Sequence, residues 1–150
     1  MKPYLHDNIF LHWNLDASVG KGGANSVESD IAYLQWYYTL AADFSETPPD
    51  RKLIYKNVSI TSKCSGRNDD PLVKAIVAQQ KALSHPIIDG KVSALPGAAG
   101  HVRLGQNAFF VIRLGARLAN KFQQEWPRLD RMPRCPASVA EAVRRSIPKL

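Results

Sequence analysis

The chain contains several residue groups whose types and spacing bear on chemistry. Gly20-Lys21-Gly22-Gly23 stands just ahead of a helix signal, the place where free backbone N–H groups attract anions. A phosphate-cradling loop, however, follows a buried strand and carries Ser or Thr directly after its lysine. Here Lys21 precedes two glycines and no strand signal comes before it, which argues against a nucleotide cradle. Cys64 with His85 or His101 has the order of a thiol nucleophile followed by its base. Yet Cys64 lacks the helix N-terminal setting that lowers a thiol pKa, so an enzyme is the less favoured expectation and no catalytic residue is assigned. His6 and His12 lie six apart in a segment read as irregular, and neither Cys64 nor Cys135 has a second ligand at metal spacing. Neither a metal nor any other cofactor is expected. Asp69 and Asp70 adjoin on a turn that suits helix starting better than paired acid/base work.

Residues suited to binding are more numerous. Trp36 and Tyr37 fall off the apolar seam of their helix, so either would serve as a stacking platform for a sugar ring if exposed; residence in the core is the plainer alternative. Arg67 and Asn68, with Asp69, could hydrogen-bond hydroxyls or carboxylates, or form only a solvated turn. Gln79 sits on an otherwise apolar stripe, where a buried amide needs a partner; it either finds one or lines a groove. Asp89 is a turn former with ligand contact as the lesser reading. Arg113, Arg117 and Lys121 make an i, i+4, i+8 basic stripe suited to an anion or an acidic partner.

The elements that must position these groups can be read from periodicity and caps. Asn25 with Glu28 resembles a capping box, and Val27, Ile31, Leu34 and Tyr38 share one face of a helix reaching about Ala42. Pro48-Pro49 reads as loop, and "LIYKNVSI" as a short strand or hairpin arm. Asp70 is a natural N-cap with Pro71 at the first helical position, starting a helix with Leu72, Ile76, Gln79 and Leu83 on one stripe. An Asp89-Gly90 turn follows, leading to a brief extended piece. "NAFFVIRLGARLANKFQQEW" predicts a third helix with Val111, Leu114, Leu118 and Phe122 buried, stopped by Pro127. Ser138 with Glu141 predicts a capped last helix presenting Val139, Val143 and Ile147.

Composition sets the outer bounds. A chain of 150 residues with 45% apolar content can bury one real core. No run reaches the ~18 apolar residues of a membrane helix, and "MKPYLHDNIFLHWNLD" breaks the apolar stretch a signal peptide would need. Residues 1–99 carry ten residues of each sign, so the whole net charge of +7 lies in residues 100–150. That basic part either serves solubility or meets an anionic partner. Nucleic acid is not favoured, since charge alone would support it. The two cysteines are either free thiols or, in an oxidising compartment, one bridge.

Read together, "SVGKGGANSVESDIAYLQWYY" and "DPLVKAIVAQQKALSHPIIDGKVS" resemble the two halves of a peptidoglycan-binding-like domain. In that family a glycine and asparagine turn, here Gly20 to Asn25, leads into a helix with an acidic-apolar start and a Leu-Gln pair, here Asp30, Ile31, Leu34 and Gln35. A second helix carries Ala-Ile-x-x-Phe-Gln and then an Asp-Gly-basic-apolar turn. The matching residues are Ala75, Ile76, Gln79-Gln80 and Asp89-Gly90-Lys91-Val92. The likeness spans roughly residues 17 to 95. Gln79 replaces the usual Phe, "SALPGAAG" replaces the usual glycine and threonine, and segment 43–66 is longer than a compact member needs.

The resemblance implies a mainly α fold, a small bundle of about four helices with a minor short β hairpin. Residues 1–99 would be the peptidoglycan-binding-like core and 100–150 a basic helical extension packed on the same domain. It further implies a non-catalytic module that targets bacterial peptidoglycan, with Trp36, Tyr37, Arg67, Asn68, Gln79 and Asp89 as ligand residues. The alternatives are an adaptor or immunity-type module that kept the fold without the sugar site, its acidic partner met by Arg113, Arg117 and Lys121, and, less favoured, a Cys64-dependent wall hydrolase. Similar glycine-rich openings in proteins attached to type VI secretion give the expectation of a bacterial protein made in the cytoplasm without a signal peptide and delivered to the periplasm by a specialised machine, without membrane insertion.

Overall fold

The computed structural model describes residues 1–7, 9–96 and 109–147. It is mainly helical, with two small antiparallel pairings. The first pairing was not foreseen. β1 (Lys2–His6) and β2 (Ile9–Asn14) form a hairpin in which Tyr4 faces His12 and His6 faces Ile9, so the two histidines are not cross-strand partners. Trp13, buried at its far end, donates its indole N–H to the carbonyl of Pro127 at 2.8 Å.

The second pairing is β3 (Val19–Gly20) with β4 (Lys91–Val92), which joins the two motifs on which the family resemblance rests. Gly20 has φ of +111°, and a Cβ there would lie 2.2 Å from the Gly90 carbonyl oxygen, so close approach of two backbones requires glycine. Asn25 does not begin the helix. At φ +49° its side chain closes the loop on itself, accepting from the Gly20 N–H at 2.8 Å and donating to the Gly20 carbonyl at 2.9 Å. Helix α1 (Glu28–Ala42) begins after Val27 with no side-chain cap, so the expected capping box is absent.

α1 is the central element and is buried on nearly every side, from Asp30 to Ala42 with Thr39 alone half-buried. A single-seam reading therefore fails: Tyr33, Trp36, Tyr37 and Tyr38 are all fully buried, and such rings dominate the free energy of a small core. Two of its polar residues, Asp30 and Gln35, are held by loops. Asp30 accepts from the N–H groups of Asp16 and Ala17, both at 2.9 Å, and faces the Met1 amino group at 2.7 Å. Gln35 accepts from Thr61 N–H and Ser62 N–H and donates to the Lys63 carbonyl, each at 2.9 Å. A buried carboxamide thus replaces the ladder that an extended segment would otherwise lack.

α2 (Pro49–Lys56) corrects the expected strand. Pro49 occupies its first turn, where a missing N–H removes no bond, and Tyr55 packs its ring 5.0 Å from that of Tyr38. α3 (Pro71–Ala82) starts as expected, with the Asp70 carboxylate accepting from Leu72 N–H at 2.8 Å. α4 (Phe110–Lys121) buries Val111, Leu114 and Leu118. It ends at Lys121 with Phe122 as C-cap, before Pro127 is reached; its expected first residues, Asn107 and Ala108, lie outside the described residues. A single 3-10 turn, Leu129–Arg131, precedes α5 (Ala137–Ser146), which packs on α1 and β1. Its N-cap is Pro136, so Ser138 forms no capping box, and Glu141 pairs forward with Arg145. Val139 and Val143 are buried whereas Ile147 is exposed. One hydrophobic core takes residues from Tyr4 to Val143, so segments on both sides of residue 100 share it.

Candidate functional site

Three turns converge on one surface. Lys21 N–H donates to the Gly90 carbonyl at 2.9 Å, tying the 20–25 loop to the 89–91 turn. Gly66, at φ +73°, leaves no room for a side chain between the third turn and the first: a Cβ there would lie 2.9 Å from Asn25 Nδ2 and 3.3 Å from the Gly20 carbonyl oxygen. Asp70 pins the base of that third turn by accepting from Ser65 N–H at 2.8 Å and from its hydroxyl at 3.1 Å. The result is an open cleft of about 410 Å³ lined by Lys21, Gly66, Arg67, Asn68 and Asp69. Arg67 and Asp69 lie 3.5 Å apart and are well exposed, leaving both able to exchange that pairing for a ligand.

Asn68 also lines a second depression, about 450 Å³, whose floor is Ile54, Val73, Val77 and Ala78 and whose rim carries Lys74 and Lys81. The polar cleft and the apolar groove therefore meet at one residue. Of the residues lining these two depressions, Arg67, Asn68 and Asp69 were named from the sequence as hydrogen-bonding candidates, and Lys74, Val77 and Lys81 were not. Their signal was available: they fall on the side of α3 opposite the Leu72, Ile76 and Gln79 stripe, and Val73, Val77 and Lys81 recur every four residues.

The other expected ligand residues are placed elsewhere. Trp36 and Tyr37 are both 0% exposed, and Trp36 donates its indole N–H to the Pro133 carbonyl at 2.9 Å, so neither is a stacking platform. Gln79 does not line a groove. It is buried and donates to the Tyr37 hydroxyl at 2.6 Å, with its own Oε1 lacking a partner among the described residues. Burial raises the Tyr37 pKa to about 12, keeping the phenol neutral. Asp89 shapes its turn: Oδ1 accepts from Lys91 N–H at 3.0 Å and from Gln80 Nε2 at 3.1 Å. Gln80 completes the arrangement by accepting from the N–H groups of Asp89 and Gly90.

The basic stripe on α4 is also committed internally. Arg117 and Lys121 both reach Glu46, at 3.3 and 2.7 Å, and both lie over the Phe44 ring. Chiefly through the Lys121 hydrogen bond, Glu46 is held at a pKa of about 2. Arg113 donates to the Leu83 carbonyl at 3.2 Å. The stripe is therefore a clamp on the end of α1 and the loop that follows it, rather than an open anion surface.

The catalytic alternatives lose their geometry as well. Both cysteines are free, and burial raises the pKa of each, Cys135 to about 12. His85 turns to the Ile87 carbonyl and to the Phe110 ring; His101 lies outside the described residues. Asp70 caps while Asp69 pairs with Arg67, so the two do not form a proton-transfer couple. His12 is lowered in pKa by burial in the hairpin, and among the described residues no three His, Cys, Asp or Glu side chains gather to hold a metal. Among those residues no helix is long and apolar enough to cross a membrane.

Comparison with known proteins adds no family to this geometry: no family model, curated protein or solved structure matches the chain.

Proposed function

We propose that the chain is a non-catalytic binding module of the peptidoglycan-binding-like type that targets the bacterial cell wall, its ligand surface being the cleft of Lys21, Arg67, Asn68 and Asp69. The observation carrying this reading is that the loop and turn of the resemblance, Gly20 to Asn25 and Asp89 to Val92, are bound together beside that cleft. Cationic and amide groups there suit stem-peptide carboxylates and N-acetyl groups, with the apolar groove next to them for methyl groups. The raised thiol pKa values weigh against Cys64 or Cys135 as a nucleophile. Cosedimentation of the pure chain with insoluble peptidoglycan tests it. Retention at low salt, reduced by an Arg67→Glu, Asn68→Ala double variant, is expected; a chain left wholly in the supernatant refutes it.

A second reading, an adaptor that kept the fold without the sugar site, is favoured by one specific observation. Among the described residues, every large exposed hydrophobic side chain is aliphatic, and the aromatic rings proposed for stacking are core.

A further inference from the structure

From the shape and charge of the groove between α2 and α3, we infer that it docks an acidic amphipathic helix of a partner protein, which deepens the adaptor reading and does not depend on wall binding. Three observations carry it. The floor is aliphatic, formed by Ile54 from α2 with Val73, Val77 and Ala78 from α3. The rim is positive: Lys74 and Lys81 are both exposed, two helical turns or about 10 Å apart on α3. Neither lysine has an ion-pair partner among the described residues, in contrast to Arg117 and Lys121.

An apolar trough edged on its α3 side by one line of two lysines fits a helix whose apolar anchors recur at i, i+4 and i+7 and whose flank on that side carries Asp or Glu. Such an occupant buries methyl groups on Val77 and Ala78 while its carboxylates reach the two lysines, giving both register and orientation. A basic helix would place like charges along the same rim. The chain's own residues 97–108 do not supply the complement, since they carry His101 and Arg103 and no carboxylate. A glycan lacks both the anchor spacing and the continuous apolar face.

Selection from a displayed library of helical peptides of about 16 residues, long enough to hold the three anchors and their flanks, tests this on the full chain. Enrichment of acidic sequences with aliphatic residues at i, i+4 and i+7 is expected. Affinity of a selected synthetic peptide should fall at least about tenfold for Lys74→Glu, Lys81→Glu and for Ala78→Arg, and persist for Lys74→Arg, Lys81→Arg. Raising the salt from about 0.05 to 0.5 M should weaken it several-fold. Far-UV circular dichroism and a urea midpoint show that each variant is folded. No enrichment, or enrichment of basic peptides, overturns the docking of an acidic helix and leaves the adaptor reading to be judged on other surfaces. Acidic peptides that bind the Lys74→Glu, Lys81→Glu variant undiminished overturn this groove as the site and leave the adaptor reading standing.

Discussion

α3 and α4 both present a line of cations, but their surroundings divide the two lines. On α4, Arg117 and Lys121 close on Glu46 over the Phe44 ring, and Arg113 takes a carbonyl at the end of α3. On α3, Lys74 and Lys81 edge an aliphatic trough without a counter-charge among the described residues. The contrast teaches that helical spacing of basic residues identifies a face, whereas the placement of carboxylates decides whether that face is structural. Glu46, a single residue in the loop after α1, makes this decision for α4.

The sharpest way to break the division between an inward, structural half and the open half proposed to bind is Trp36→Ala. It should lose about 3–5 kcal/mol of stability in urea unfolding, as a fully buried aromatic truncated to a cavity. A stable variant that only lost a ligand would return Trp36 to the binding half. Gln35→Ala comes next, at about 2–3 kcal/mol, because the N–H groups of Thr61 and Ser62 lose their acceptor; thermal and urea midpoints should fall together.

Smaller still is Glu46→Gln, about 1 kcal/mol or less for a partly exposed cluster. Its pH dependence carries the sharper information. A carboxylate lowered from 4.5 to about 2 contributes stability fully present above about pH 5 and lost as pH falls toward 2. The stability gap between the chain and Glu46→Gln should therefore narrow across that window, and a gap unchanged from pH 6 to about 2.5 would break the clamp assignment. Lys74→Glu and Lys81→Glu should each stay within about 0.5 kcal/mol of the parent, as exposed lysines without partners. A larger loss in either would mean that the α3 rim is structural after all.

Much of the helical frame was legible because local chemistry and tertiary position agreed. Asp70-Pro71 started α3 as its cap chemistry required, Asp89-Gly90 turned, and the apolar spacing of Val111, Leu114 and Leu118 did face the core. α2 was misread since Leu53, Tyr55, Val58 and Ile60 suggest the alternation of a strand, and a helix of eight residues offers little periodicity against it. The hairpin at residues 2–14 was missed because its alternation is interrupted by the register shift after Tyr4. α1 failed differently. Its burial on all sides erases the amphipathic pattern from which exposure of Trp36 or Tyr37 was inferred. Of the site, Arg67 and Asn68 were visible as turn residues, but the groove depends on how α2 lies against α3, a contact no local pattern encodes.

The two glutamine brackets have a kinetic consequence. The amide protons of Thr61 and Ser62, and those of Asp89 and Gly90, have no main-chain acceptor among the described residues, yet each is held by a carboxamide rooted in a helix, Gln35 in α1 and Gln80 in α3. Deuterium should therefore enter these turns only when the side chain lets go, so their exchange reports on the opening of the helix behind them. Slow exchange at Gly90 beside fast exchange at exposed Ile88 would mark the convergent cleft as a surface whose shape is set from within the core.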